Sequence, residues 1–297
     1  VTVLRKGRVQ GGGSVGGIDA ASLTELMVPG GLPAERPKET GEAPSRGAVE
    51  RIVVRNLDAR DRRGVRVLDD LSFTVRAGEV LGIAGVEGNG QRELVAALAA
   101  TFEGSIEGEI RIDGNRIQAP TDARRAGLAI IPPDRQREGL VADLTLAENL
   151  LLRVDLLAQA APRGILDPST VREESGRLLR AFDVRPPDSG ARAGTLSGGN
   201  QQRLVIAREL GTARPTAAVA ANPSRGLDLA ATARVRGALR EAGGRGAAVL
   251  VLSSDLDEIE VLADRVAVLY RGRLCGPLEC PVERALLGRL MAFGEAG

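Results

Sequence analysis

Five short, largely apolar runs punctuate the chain at Val80–Ala84, Leu128–Ile131, Ala217–Ala221, Ala247–Leu252 and Arg265–Tyr270, each four to six residues long. Runs of that length bounded by turn residues suit strands covered on both faces. Helical stretches lie between them, at Gln91–Ala100, from Ser197, at Leu229–Arg240 and from Asp255. Strands alternating with helices pack most simply as a mostly parallel sheet, so an α/β fold is expected. Val49–Leu57 and Val65–Val75 instead alternate like half-buried strands, and Gly108–Ile112 is a short strand turned by Asp113-Gly114, which predicts an antiparallel β edge at the entry. Two Thr-x-x-Glu patterns, Thr145 with Glu148 and Thr170 with Glu173, read as capping boxes and predict a helical insert over about residues 136–190.

Composition removes several function classes. The 297 residues carry 40 Lys+Arg against 39 Asp+Glu, a formal charge of +1, so no net field draws a polyanion and nucleic acid is not an expected partner. Aromatics are 2% with no Trp, too few for a base-stacking surface. There is no His, which excludes a catalytic imidazole, a His-ligated metal and an imidazole pH switch. Cys275 and Cys280 complete neither a zinc set nor a disulfide framework. No apolar run reaches the length of a bilayer span, and the first residues lack a signal-peptide layout, so a reducing, cytoplasmic compartment is expected.

A segment near the start recurs near the end. Val1-Thr2-Val3-Leu4-Arg5-Lys6-Gly7-Arg8-Val9 matches Val266-Ala267-Val268-Leu269-Tyr270-Arg271-Gly272-Arg273-Leu274 at an offset of 265, from Val1 to Val266, and Leu26-Met27 matches Leu290-Met291 one gap away. Two matches in one order predict that residues 1–48 are the tail of an earlier, similar domain followed by a Gly/Pro-rich linker. The main domain is then expected at 49–275 and a C-terminal helical extension at 276–297.

The loop after Val80–Ala84 is Gly85-Val86-Glu87-Gly88-Asn89-Gly90-Gln91-Arg92. Glycines there let backbone N–H groups converge on an anion at a helix N-terminus. A working phosphate loop, however, ends Gly-Lys-Ser/Thr, and here Gln91 and Arg92 hold those two places. Farther on, Leu196-Ser197-Gly198-Gly199-Asn200-Gln201-Gln202 opens a helix, with Ser197 as N-cap candidate. This segment resembles the LSGGQ signature of ATP-binding cassette proteins. Ala217–Asp228 and Val249–Asp255 resemble that family's Walker B strand with D-loop and its switch-histidine strand. With Pro133-Asp134-Arg135-Gln136-Arg137-Glu138-Gly139-Leu140 and Ser224-Arg225-Gly226-Leu227-Asp228, the chain looks like the second cassette of two-cassette ATPases of sugar and nucleoside importers.

The resemblance implies a P-loop ATPase core with an antiparallel β edge and an inserted helical subdomain. It implies ATP contacts at Gly85, Val86, Glu87, Gly88, Asn89, Gly90, Gln91, Arg92, Leu196, Ser197, Gly198, Gly199, Gln201 and Asp228. The chain departs from active cassettes where Ala221 and Asn222 replace the Walker B Asp and Glu, Ser254 replaces the switch histidine, and Pro132 or Pro133 stands for the usual glutamine. Mg²⁺ ligands, general base and phosphate sensor are missing together, so hydrolysis in the chain's own pocket should be negligible, although backbone N–H groups keep weak nucleotide retention open. Glu87 would oppose that retention by facing phosphate, and Arg92 projects about 100° from the lysine's direction. In the family's head-to-tail arrangement, the signature would close over Mg²⁺-ATP held by the preceding cassette. The implied partners are that cassette, a membrane permease docked on the helical insert and, indirectly, a solute-binding protein, at the cytoplasmic face of the cell membrane. A two-cassette protein of translation and a non-hydrolysing scaffolding module are the alternatives.

Overall fold

In a computed structural model, the structure describes residues 2–5, 8–14, 49–161, 164–211 and 215–294. Strands β1 (Thr2–Arg5) and β2 (Arg8–Gly12) make an antiparallel hairpin. Three strands follow, β3 (Glu50–Asp61), β4 (Arg66–Arg76) and β5 (Val80–Ala84), then helix α1 (Gln91–Leu98). Strands β6 (Gly104–Ile112) and β7 (Asn115–Arg116), helix α2 (Pro120–Arg125) and strand β8 (Leu128–Ile131) lead to a π-helical turn at Arg135–Gly139. Helices α3 (Leu146–Leu151), α4 (Val154–Ala160) and α5 (Pro168–Ala181) fill the expected insert, ahead of α6 (Gly198–Gly211). The chain closes with β9 (Ala217–Ala221), α7 (Leu229–Gly244), β10 (Ala248–Ser253), α8 (Leu256–Leu262), β11 (Arg265–Tyr270), β12 (Arg273–Glu279) and α9 (Arg284–Phe293).

The six-stranded sheet has the order β12-β11-β5-β10-β9-β8, parallel except for β12. A four-stranded antiparallel sheet, β4-β3-β6-β7, supplies the β edge, so the fold is mixed α/β as expected. Alternate side chains of the parallel strands enter two cores. Val80, Ala218, Ala220, Val249 and Val251 pack with the insert and with α6 to α8, whereas Leu81, Ile83, Val219, Leu250 and Leu252 pack with α1 and the antiparallel sheet. Each side chain fully removed from water contributes about 1.5–3 kcal/mol, which explains why nearly uninterrupted apolar runs form these strands.

Two expectations are corrected. Helix α5 is capped by Asp167, which accepts from the Ser169 and Thr170 N–H groups at 3.0 and 3.3 Å, and not by Thr170. Pro168, suited to the first helical position, starts the helix earlier, and the Thr170 hydroxyl donates to Asp167 at 2.6 Å instead. These hydroxyl and amide donors hold the Asp167 carboxyl at about 2, below its usual 3.8. Asp167→Ala should lower Tm slightly at neutral pH, and because a depressed carboxyl stabilises fully above its unfolded value and loses that contribution towards its folded one, the difference should narrow in thermal melts as pH falls from 3.8 towards 2. The second correction concerns the C-terminus, where β12 runs through the 275/276 boundary and the helix begins only at Arg284.

Leu26-Met27 and most of the linker lie outside the described residues. The first recurrence is described. Leu4 pairs with Val9 and Arg5 with Arg8 in β1–β2, and Leu269 pairs with Leu274 and Tyr270 with Arg273 in β11–β12, the same register at the same offset.

Candidate functional site

Strand β5 delivers the glycine loop to the N-terminus of α1. Gly90 caps that helix with φ +111°, and a Cβ there would meet Leu68 Cδ2 at 2.9 Å and the Val67 carbonyl oxygen at 3.0 Å, so the turn requires glycine. Gln91 folds back over the loop. Its Nε2 donates to the Val86 carbonyl at 2.8 Å, and its Oε1 accepts the Asn89 N–H at 3.2 Å. A Cβ on Gly85 would lie 2.6 Å from that Nε2. The Asn89 N–H also donates to the Val86 carbonyl at 3.3 Å, so the turn and the glutamine share this donor.

The other charged residues of the loop are engaged across the fold. Arg92 donates to Glu138 on the π-helical turn at 2.5 Å. Glu87 accepts from Arg225, in the segment after β9. Gly85, Glu87, Gly88, Gln91 and Arg92 line a cavity of about 670 Å³, whose opposite wall includes Ala221, Asn222 and Ser254. Asn222 takes the Ser254 N–H on its side-chain oxygen at 3.1 Å, so the ends of β9 and β10 are bonded to each other here. Ser253, also in the lining, donates its hydroxyl to Glu258 at 2.7 Å, and Ser224 donates to the same carboxylate at 2.5 Å. Burial pushes the Glu258 carboxyl above its ordinary range. Among the described residues, no group of three or more Asp, Glu, Cys or His is placed to hold a metal ion.

The signature residues form a separate surface. Ser197 directly precedes α6, its carbonyl accepts the Gln201 N–H at 2.9 Å, and its hydroxyl accepts from the Asn200 side chain at 3.1 Å. Gly198 and Gly199 open the helix, presenting the positive end of fourteen residues of aligned peptide dipoles. Leu196 is buried. Gln201 is buried as well and donates to the Ala193 carbonyl, so its side chain braces the motif from below. Asp228 caps α7 by accepting the Ala231 N–H at 2.7 Å.

Gly85, Glu87, Gly88, Gln91 and Arg92 thus meet in one cavity, whereas Val86, Asn89, Gly90, the signature residues 196–201 and Asp228 do not line it. Arg135 touches both regions. It lines the cavity, donates to the Arg225 carbonyl at 3.3 Å, and lies where a Cβ on Gly198 would come within 2.5 Å of its Nη2. Arg135 and Arg225 stand within sequence motifs that assign them no role, since spacing along the chain does not disclose which distant loops will face one another.

Comparison with known proteins follows the same lines. A protein-family model described as ABC transporter matches residues 68–217. The chain is 37% identical to the guanosine import ATP-binding protein NupO of Bacillus subtilis (strain 168), over 98% of this chain and 57% of that protein. It is 35% identical to the nucleoside import ATP-binding protein NupA of Lactococcus lactis subsp. cremoris (strain MG1363), over 93% and 54%. It is 36% identical to the xylose import ATP-binding protein XylG of Burkholderia ambifaria, over 93% and 53%. The chain spans about half the length of these curated relatives. Among solved structures, an ATP-binding subunit of an ABC transporter superimposes with a TM-score of 0.63 at 25% identity, covering 83% of this chain and 95% of that one. A dimeric ATP-binding cassette bound to ADP and phosphate superimposes with a TM-score of 0.66 at 21% identity, covering 78% and 100%.

Proposed function

The chain belongs to the ABC transporter family, and we propose that it is the second, degenerate cassette of an ATPase that drives import of nucleosides or simple sugars. The observation that carries this reading is an asymmetry. The signature at the start of α6 is intact, whereas the chain's own loop is covered by Gln91 and faces Ala221, Asn222 and Ser254. A head-to-tail partner cassette would hold Mg²⁺-ATP against Ser197, Gly198 and Gly199. When bound there, ATP supplies the phosphoryl group that water attacks. This chain's residues orient it, through the Ser197 hydroxyl and the free N–H groups at the positive end of α6.

The hairpin β1–β2, in register with β11–β12 at an offset of 265 from Leu4 to Leu269, supports a preceding cassette of the same kind. The helical insert is the surface proposed to meet the permease, at the cytoplasmic face of the membrane. No helix among the described residues is long and apolar enough to cross a bilayer. On this reading, the chain purified alone releases no phosphate from radiolabelled ATP above a protein-free blank, while the two-cassette protein turns over with Mg²⁺. Brisk Mg²⁺-dependent release by the chain alone would overturn the proposal.

A further inference from the structure

A second cavity, of about 720 Å³, lies between α5, α6 and α7 and shares no lining residue with the loop cavity or with the signature. Its apolar part is set by helical spacing. Ile206 and Leu210 stand about one turn apart on α6, Val235 and Ala238 likewise on α7, and Phe182 follows α5. A Cβ on Gly211 would lie 2.5 Å from Phe182 Cε2, so the glycine that ends α6 lets the ring lie against that helix. On α7, Gly237 also lines the cavity, and a Cβ there would meet no atom within 4 Å.

Four guanidiniums line the same space, from Arg177, Arg203, Arg234 and Arg245. Arg177 pairs with Glu174 at 2.8 Å and Arg245 with Glu241 at 3.4 Å. Arg203 and Arg234 have no carboxylate of their own. Both converge on Asp183 Oδ2, Arg203 at 3.4 Å, while Arg185 holds Asp183 Oδ1 at 2.7 Å. The Arg203 Nη1 also donates to the Asp183 carbonyl at 2.9 Å and to the Asn200 side chain at 3.2 Å, and its buried Nε has no hydrogen-bond partner. Burial holds the Arg203 guanidinium below its ordinary pKa, although Asp228 opposes this from the cap of α7. With Asp228 counted, Arg177, Arg185, Arg203, Arg234 and Arg245 face Glu174, Asp183, Asp228 and Glu241, five cations against four carboxylates.

That combination selects a ligand class. A neutral sugar or nucleoside, the solute proposed above, would leave the cationic excess uncompensated, and a cation would add to it. A bare inorganic anion would leave the apolar part wet. We infer that the cavity binds an organic anion with an aryl body, its phosphate or carboxylate head between Arg203 and Arg234 and its rings on Phe182, Ile206 and Leu210. The head takes the place of Asp183 Oδ2 as the shared counter-ion, and Asp183 keeps Arg185. The site is independent of nucleotide at the glycine loop and of what the signature does for a partner.

Isothermal titration calorimetry of the full chain with naphthyl phosphate, inorganic phosphate, naphthol and naphthylmethylamine tests it. Naphthyl phosphate should bind with a Kd below about 1 mM and at least about tenfold more tightly than the other three. Gly237→Leu puts a side chain into open space at the cavity wall and removes a glycine from a helix interior, so it should weaken naphthyl phosphate by about tenfold or more with Tm unchanged or raised. Arg234→Gln, at an exposed position, should weaken it by about tenfold. Circular dichroism would establish that each variant folds, and the four ligands on the unaltered chain decide the matter where one does not. Discrimination below tenfold, full binding retained by either folded variant, or no binding of naphthyl phosphate up to about 1 mM would each overturn the inference.

Discussion

Glu209→Ala is expected to destabilise the chain by about 3–5 kcal/mol, the range for removing one partner from a buried ion network. Glu209 lies on α6 with no exposure. Its Oε2 accepts from Arg153 at 3.0 Å, Arg124 at 3.1 Å and the Ile130 N–H at 3.2 Å, and its Oε1 accepts from Arg208 at 2.9 Å. Arg153 and Arg208 are nearly as buried, at 5% and 8% side-chain exposure, so truncation leaves two guanidiniums in the interior without this counter-ion. The same carboxylate ties the signature helix to β8, to α2 and to the residue before α4. Burial alone would raise its pKa, but Arg208, Arg124 and Arg153 together outweigh burial and hold it below the ordinary 4.5. Its contribution is therefore fully present above pH 4.5 and is lost as pH falls through the lower folded value. Urea titrations at neutral pH should show the large loss for Glu209→Ala and a smaller one for Glu209→Gln, whose amide oxygen still accepts. The gap between Glu209→Gln and the unaltered chain should narrow below pH 4.5. A loss under about 1 kcal/mol for the alanine variant would show that the arginines are satisfied without it.

Legibility in the sequence followed local chemistry. Val80–Ala84, Leu128–Ile131, Ala217–Ala221 and Arg265–Tyr270 are strands with the expected bounds, because an apolar run covered on both faces ends where polar turn residues begin. Strand β6 begins at Gly104 rather than Gly108, since Gly104–Glu107 are exposed and are held by backbone pairing to β3, which leaves no apolar pattern. Helix α7 continues through Gly243-Gly244, where burial of Ala242 and Gly243 against the sheet outweighs weak helix propensity. The loop and signature were readable as motifs. The pairings that set their electrostatics, Glu87 with Arg225 and Arg92 with Glu138, join residues 138 and 46 positions apart, and only the folded sheet brings them together. Gln91 illustrates the same limit. Its identity marked the loop as altered, but that its amide takes the Asn89 N–H emerges only from the turn of the chain.

In the two-cassette protein, Gly198→Asp is expected to remove ATPase activity, by a hundredfold or more, while Gln91→Ala changes it by less than about twofold. A Cβ at position 198 would stand 2.5 Å from Arg135 Nη2, the far end of a flexible side chain that can shift. Gly198→Ala therefore measures crowding alone and should lose much less activity than the aspartate. The carboxylate adds two further effects. It sets a negative charge at the positive end of α6, where the partner's terminal phosphate is proposed to sit, and it places a carboxylate beside the Arg135 guanidinium. Removing one aligned donor at a developing oxyanion costs about 3–4 kcal/mol, and repulsion adds to it. Gln91→Ala acts at the other pocket, which Ala221, Asn222 and Ser254 line and which is proposed to lack a base, a metal ligand and a sensor. Losing that amide leaves the Asn89 N–H on the Val86 carbonyl, at 3.3 Å, and is expected to create no hydrolytic centre. Phosphate release by the three variants, at matched Mg²⁺ and ATP, separates the two surfaces. Equal losses for Gly198→Asp and Gln91→Ala would mean that both pockets turn over, and the proposed division of labour would fail.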